Sequence, residues 1–170
     1  MWKAAFATVF WIWLFQASPA TAEVKAVFTS EESIKEAILT EVESAASTLE
    51  LAVHDITSPM MANALLKAKQ RGVKVRIVAD SKQAKAKTSQ MTYLIHQGIM
   101  VKTLRGKERG VMNHRFAVLD GKKIITGSYD WTENSEKWNH ENVVILADVE
   151  AVASYQKEFD RLWRQKRVIK

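Results

Sequence analysis

The sequence predicts one α/β domain, a mixed, mostly parallel sheet flanked by helices. Three observations carry this expectation. Apolar runs of strand length alternate with segments at helical spacing. Hydrophobic residues make up 47% of the 170 residues, enough to build a sizeable core. No repeat, low-complexity stretch or linker divides the chain.

Residues 1–22 read differently from the rest. Lys3 precedes an apolar run from Ala4 to Phe15, followed by Pro19 and Ala20-Thr21-Ala22. That order gives a secretory signal cleaved after Ala22, and the run is short for a membrane span. The expected location is therefore secreted or periplasmic, with a domain over 23–170 and no stable membrane insertion after cleavage. Removing residues 1–22 takes away Lys3 and no acid, so the formal charge falls from +6 to +5. A basic exported protein suits a polyanionic partner. The chain has no cysteine, which excludes disulfides, thiol catalysis and cysteine-ligated metals.

Along the domain, Lys25 to Phe28 reads as a strand. Thr29 with Glu32 three residues on forms a capping box for a helix with Ile34, Ala37, Ile38, Val42 and Ala45 on one face. Leu49 to Val53 is a buried strand. Pro59 opens a helix that runs to about Arg71 and is closed by Gly72. Val73 to Ala79 is a strand ending at Asp80, and a lysine-bearing loop from Lys82 to Lys87 follows. Met91 to His96 is helical, closed by Gly98, and Ile99 to Leu104 is another strand. Then Phe116 to Leu119, the Asp120-Gly121 turn and Ile124 to Thr126 make a β-hairpin. Asn142 to Ala147 is a strand, and Val149 to Arg164 a closing amphipathic helix.

Polar residues collect where ligands of open α/β sheets bind, beyond the C-terminal ends of strands. His54-Asp55, Asp80 and the loop before the hairpin all lie there. That loop carries Lys102, Arg105, Lys107, Arg109 and Arg115 against the single acid Glu108. Such a field suits phosphates, so Lys102, Arg105, Lys107 and Arg109 are candidate nucleic-acid contacts. In the hairpin, Asn113 and Arg115 point one way and His114 and Phe116 the other, because strand residues two apart share a face. Gly127-Ser128 lets backbone approach a ligand and adds a hydroxyl.

The run Asn113-His114-Arg115-Phe116-Ala117-Val118-Leu119-Asp120, with Gly127-Ser128-Tyr129-Asp130 and Glu141, resembles the phospholipase D superfamily. Its signature is His-x-Lys, four residues, Asp, then Gly-Ser-x-Asn. The resemblance spans essentially the whole mature chain and is nearest to the short, single-motif bacterial endonucleases. It implies a phospholipase D/nuclease-like fold. It also implies a metal-independent phosphodiesterase without cofactor, in which a motif histidine attacks phosphorus to form a phosphohistidine and a second histidine protonates the leaving oxygen. A chain with one motif holds one such histidine, so the resemblance implies a homodimer with its site on the two-fold axis.

Position by position, the resemblance assigns catalytic places to Asn113, Arg115, Asp120 and Glu141, and phosphate-binding places to Arg115, Gly127, Ser128 and Asp130. Three positions depart: Asn113 stands for the nucleophilic histidine, Arg115 for lysine and Asp130 for asparagine. His114 would replace the nucleophile only through a β-bulge, since a one-residue slip reverses a strand's faces. The expected function is a nuclease acting on DNA or RNA. The alternatives are a degenerate member that binds without cleaving, and a phospholipid phosphodiesterase.

Other readings rank lower. His114, Asp120 and Ser128 have the residue types of a hydrolase triad, but no nucleophile elbow surrounds Ser128. His114, His140 and Glu141 lack helical metal-ligand spacing. His54 and His96 read as structural. Trp131 and Trp138 read as packing residues, with Trp131 also able to face a base or lipid.

Overall fold

The computed structural model describes residues 22–165. The signal expected over 1–22 thus lies outside the described residues, except for Ala22. In chain order the elements are β1 (Glu23–Phe28), α1 (Ile34–Ser44), β2 (Thr48–Val53), α2 (Pro59–Gln70), β3 (Lys74–Asp80), α3 (Met91–His96) and β4 (Met100–Leu104). The hairpin β5 (Arg115–Leu119) and β6 (Lys123–Gly127) follows, then α4 (Glu133–Lys137), β7 (Asn142–Ala147) and α5 (Val149–Arg164).

One seven-stranded sheet has the order β1-β7-β6-β5-β2-β3-β4. The mixed sheet flanked by helices is as expected, but its balance is more antiparallel. Only β2–β3 and β3–β4 pair in parallel, through the crossovers carrying α2 and α3. The other four ladders are antiparallel, because the second half of the chain turns back by hairpin and short returns.

Period-2 alternation divides the core into two layers. Leu49, Leu51 and Val53 of β2 and Ala117 and Leu119 of β5 face α1, α2 and α3. Ala52, Val78, Phe116, Val118 and Ile124 face α5 and its Val152, Phe159 and Leu162. Full burial of a side chain such as Phe159 contributes about 1.5–3 kcal/mol. Beneath α5 the buried Glu50 carboxylate accepts from Arg76 Nε at 2.8 Å and from Gln156. The Arg76 guanidinium lies 5.1 Å from the centroids of both Phe159 and Trp163. That network seats α5, because an unpaired charge in this position would be costly.

Two local signals differ from expectation. The N-cap of α1 is Ser33, whose Oγ accepts from the Glu36 N–H at 3.2 Å. Thr29-x-x-Glu32 and Ser33-x-x-Glu36 both fit the motif, and the second is taken because Glu136 also binds Ser33 Oγ at 2.6 Å and the Lys35 N–H at 3.2 Å. An acid at a helix N-terminus is favourable. Thr29 instead accepts the Glu141 N–H at 3.0 Å, near the open end of the sheet. The second difference is α4, a short helix capped by Thr132 Oγ1, which lacks an apolar stripe to announce it.

The hairpin turn is built as its sequence requires. Asp120 and Gly121 have φ of 53° and 61°, and the Lys122 N–H donates to Leu119 O at 2.9 Å. Asp120 also binds the chain just before β2: its carboxylate accepts from the N–H groups of Ala46 (2.9 Å), Ser47 (2.7 Å) and Thr48 (2.8 Å) and from Ser47 Oγ (2.9 Å). Burial opposes ionisation here, but these donors outweigh it and bring the carboxyl down from 3.8 to about 2. Its folded value lies below its unfolded one, so the contribution is present above pH 3.8 and lost as pH falls through about 2. We expect Asp120→Ala to cost about 1–2 kcal/mol at neutral pH. The difference between variant and wild type should shrink in acid, as read by chemical denaturation across pH 2 to 7.

Candidate functional site

The far ends of β2, β3 and β6 and the near ends of β5 and β7 meet at one edge of the sheet. The chain is pinned immediately before β5. The Met112 N–H donates to the buried Asp80 carboxylate at 3.0 Å, and Met112 O lies 3.1 Å from His54 Nδ1. A carbonyl only accepts, so this contact places a proton on His54 Nδ1. Asp80 also accepts from the N–H groups of Lys82 at 2.9 Å and Gln83 at 3.1 Å. With Met112 clamped from both sides, the alternation beyond it is set.

Arg115, opposite Val53 in the β2–β5 ladder, is on the face of α1–α3. Its Nη2 lies 2.8 Å from Asp130 Oδ2, and both side chains are largely buried. Arg115 Nε and Asp130 Oδ1 are buried without a hydrogen-bond partner. Asn113 is exposed at the same edge. His114 faces the opposite way: its ring meets Phe116 edge-on at 5.3 Å, and Nε2 lies 3.2 Å from Glu158 Oε1 on α5. Glu158 is held below its ordinary range, first by the hydrogen-bonded Arg161 guanidinium and further by His114. His114 thus stays on the α5 side, and Asn113, which was expected on the opposite face, lies ahead of β5 and lines a groove together with His114.

Ser128 Oγ is hydrogen-bonded to Glu141 Oε2 and accepts the Asn142 N–H at 3.1 Å. Asn139 Nδ2 donates to the other Glu141 oxygen at 2.8 Å. Glu141 therefore orients the serine and leaves the motif's first residue alone. Gly127 is required by the sheet: a Cβ there would lie 2.1 Å from Asn142 O and 2.8 Å from Val143 Cα. The neighbouring strand, rather than a ligand, makes the close approach.

Two grooves flank the start of β5. One, of about 450 Å³, is lined by Arg105, Lys107, Asn113, His114, Met112 and Arg161 among others. The other, of about 520 Å³, is lined by His54, Asp55, Asp130, Thr132 and Glu133 among others. The first is basic and the second acidic. In the second, the Asp55 carboxyl is raised by burial, with the Ser89 hydroxyl and Ile56 N–H opposing.

The sequence candidates thus separate. Asn113, Arg115, Gly127, Ser128, Asp130 and Glu141 gather at the open edge. Asp120 does not: it closes the hairpin at the opposite end of β5, which also removes a His114–Asp120–Ser128 triad. Lys102 is engaged at the C-terminus of α5, where its Nζ donates to Trp163 O and to Gln165 O at 2.8 Å. Arg105, Lys107 and Arg109 remain exposed. Trp131 is packed, 3% exposed, whereas Trp138 is 81% exposed and corrects its expected packing role. Sequence reasoning missed Glu158 and Arg161, which sit three apart on α5 and look like an ordinary surface ion pair.

Comparison with known proteins accords with this geometry. The family model described as "Cardiolipin synthase, PLD-like domain" matches residues 38–163. Curated relatives include the mitochondrial cardiolipin hydrolases of Xenopus laevis and Homo sapiens. The first is 39% identical over 128 residues, 75% of this chain and 60% of the relative. The second is 36% identical over 134 residues, 79% of this chain and 52% of the relative. The chain therefore spans little more than half the length of these relatives.

Among solved structures, the phospholipase D family member Nuc from Salmonella typhimurium aligns with TM-score 0.78 and 26% identity. The alignment covers 86% of this chain and 97% of Nuc. NucT from Helicobacter pylori aligns with TM-score 0.77 and 23% identity, covering 84% and 96%. The mitochondrial designation of the curated relatives overturns the secreted or periplasmic location expected from the N-terminus. Motif spacing, sheet topology and a family match over most of the chain agree: this protein belongs to the phospholipase D superfamily, as a member with a PLD-like domain.

Proposed function

We propose that this protein recognises anionic phosphodiesters at the open edge of β5 and β6, with nucleic acid as the ligand, and that the phosphohistidine route is closed at position 113. One observation carries this reading: the residue at the motif's histidine position is Asn113, and the adjacent His114 imidazole is engaged by Glu158 on α5. An amide has no basic nitrogen to attack phosphorus, and losing a nucleophile costs several orders of magnitude in rate. Arg115 and Ser128 supply the phosphate contacts. The exposed Arg105, Lys107 and Arg109 supply the polyanion field, so affinity falls steeply with salt. No metal or cofactor enters this reading. A homodimer belongs to it, because one motif provides one such edge and a two-fold axis would join two.

A second reading is metal-independent cleavage through His114. The His114–Glu158 pair favours it, since a carboxylate that orients an imidazole is the usual support of a general base. The curated relatives' designation as cardiolipin hydrolases supports an anionic phospholipid as a further substrate class and a mitochondrial setting.

The test compares wild type, Asn113→His and His114→Ala in EDTA on plasmid DNA, single-stranded DNA and cardiolipin vesicles. We expect wild type to retain DNA in a salt-dependent gel shift without cutting it, and Asn113→His to gain cleavage. Wild-type cutting that vanishes in His114→Ala would establish the second reading and sink the first. Turnover of vesicles without DNA retention would move the substrate to lipid. Light scattering at micromolar concentration should give twice the 19.3 kDa chain mass; a single-chain mass would overturn the dimer.

A further inference from the structure

Two of the three positions that depart from the superfamily motif meet each other. Arg115 stands where lysine is expected and Asp130 where asparagine is expected, and the two form an ion pair at 2.8 Å. The pairing is one-pointed. A guanidinium and a carboxylate in full register share two parallel hydrogen bonds, whereas here Arg115 Nε and Asp130 Oδ1 are both buried and unmatched. The pair is therefore closed electrostatically but not by hydrogen bonding.

The surroundings do not favour a carboxylate at 130. Asp55 and Glu133 line the same groove, so Asp130 adds to an acidic rim. The other groove, which Asn113 itself lines, carries Arg105, Lys107 and Arg161. A phosphate approaching Arg115 thus meets a cation already neutralised, with an excess of positive charge one groove away.

We propose that Asp130 is a built-in competitor for the phosphate on Arg115, so that this edge rejects a lone phosphodiester and admits ligands that carry several phosphates. A second phosphate held in the Arg105–Lys107 groove raises the local concentration of the first and lets it displace the carboxylate. The inference rests on the phosphodiester reading given above and names the ligand class for that same edge.

The test uses the full chain and two probes: a thymidine dinucleotide with one phosphodiester, and a fluorescein-labelled single-stranded 12-mer. Wild type should bind the 12-mer and bind the dinucleotide weakly. Asp130→Asn and Asp130→Ser should each tighten dinucleotide binding about tenfold or more, as expected for removing a like charge some ångströms from the ligand. Adding Arg115→Gln should abolish that gain. Circular dichroism and Tm check that each variant is folded, and the two Asp130 substitutions guard against one failing. Unchanged or weaker dinucleotide binding in both folded Asp130 variants would overturn the competitor. So would a gain that survives Arg115→Gln, because it would then be a general charge effect. If wild type binds neither the 12-mer nor cardiolipin vesicles, the phosphodiester reading fails; if it binds the 12-mer but Asp130 substitution changes nothing, only the competitor fails.

Discussion

The hydrogen bond from the Met112 N–H to the buried Asp80 carboxylate governs the rest of the molecule's chemistry. Asp80 ends β3, and Met112 lies in the long loop ahead of β5, followed by Asn113 and His114. Once that amide is fixed, and its carbonyl is held by His54, every later side chain on β5 is committed to one side of the sheet. Arg115 goes to the α1–α3 side and Phe116 to the α5 side, with His114 beside it, while Asn113, ahead of the strand, lines the basic groove with His114. A shift of one residue would exchange them and would also expel Phe116 and Val118 from the core beneath α5. The chain therefore cannot recruit His114 by sliding, because packing resists the slip along the whole strand.

Polar groups at the open edge are arranged in ionic or hydrogen-bonded pairs rather than as a bare cationic cradle. Arg115 faces Asp130, His114 faces Glu158, and Ser128 is held by Glu141. The unpaired positive charge lies outside this ring, on Arg105, Lys107 and Arg109. Long-range attraction and close contact are thus assigned to different residues. On the proposed reading, the exposed loop cations would attract a polyanion over a Debye length, while the part-buried pair would decide what makes contact.

Much of this was legible in the sequence. Strand and helix bounds followed from periodicity with Pro59, Gly72, Gly98 and the Asp120-Gly121 turn as punctuation, because those residues act locally. The opposed faces of His114 and Arg115 needed only period two, but Asn113, ahead of the strand, escapes that rule and lines the groove on His114's side. What escaped reading was non-local. Choosing Ser33 over Thr29 as the cap depended on Glu136, a hundred residues away. Lys102 looked like a free loop cation until α5 ended beside it. Asp120 carried a motif's authority, yet its partners are the amides of Ala46 to Thr48, which no spacing reveals. Trp138 looked apolar enough to pack, but α4 is too short to cover it.

The hairpin gives the motif spacing a meaning apart from reactivity. Asp120 clips the turn to the start of β2, and from that clip β5 and β6 run back to the same edge. The intervals from Arg115 to Asp120 and from Asp120 to Ser128 are then lengths measured along two strands from a common anchor. They form a ruler. One residue added on either side would carry Arg115 or Ser128 past the edge or onto the wrong face. The sheet enforces those gradations whatever residues stand at the ruler's ends.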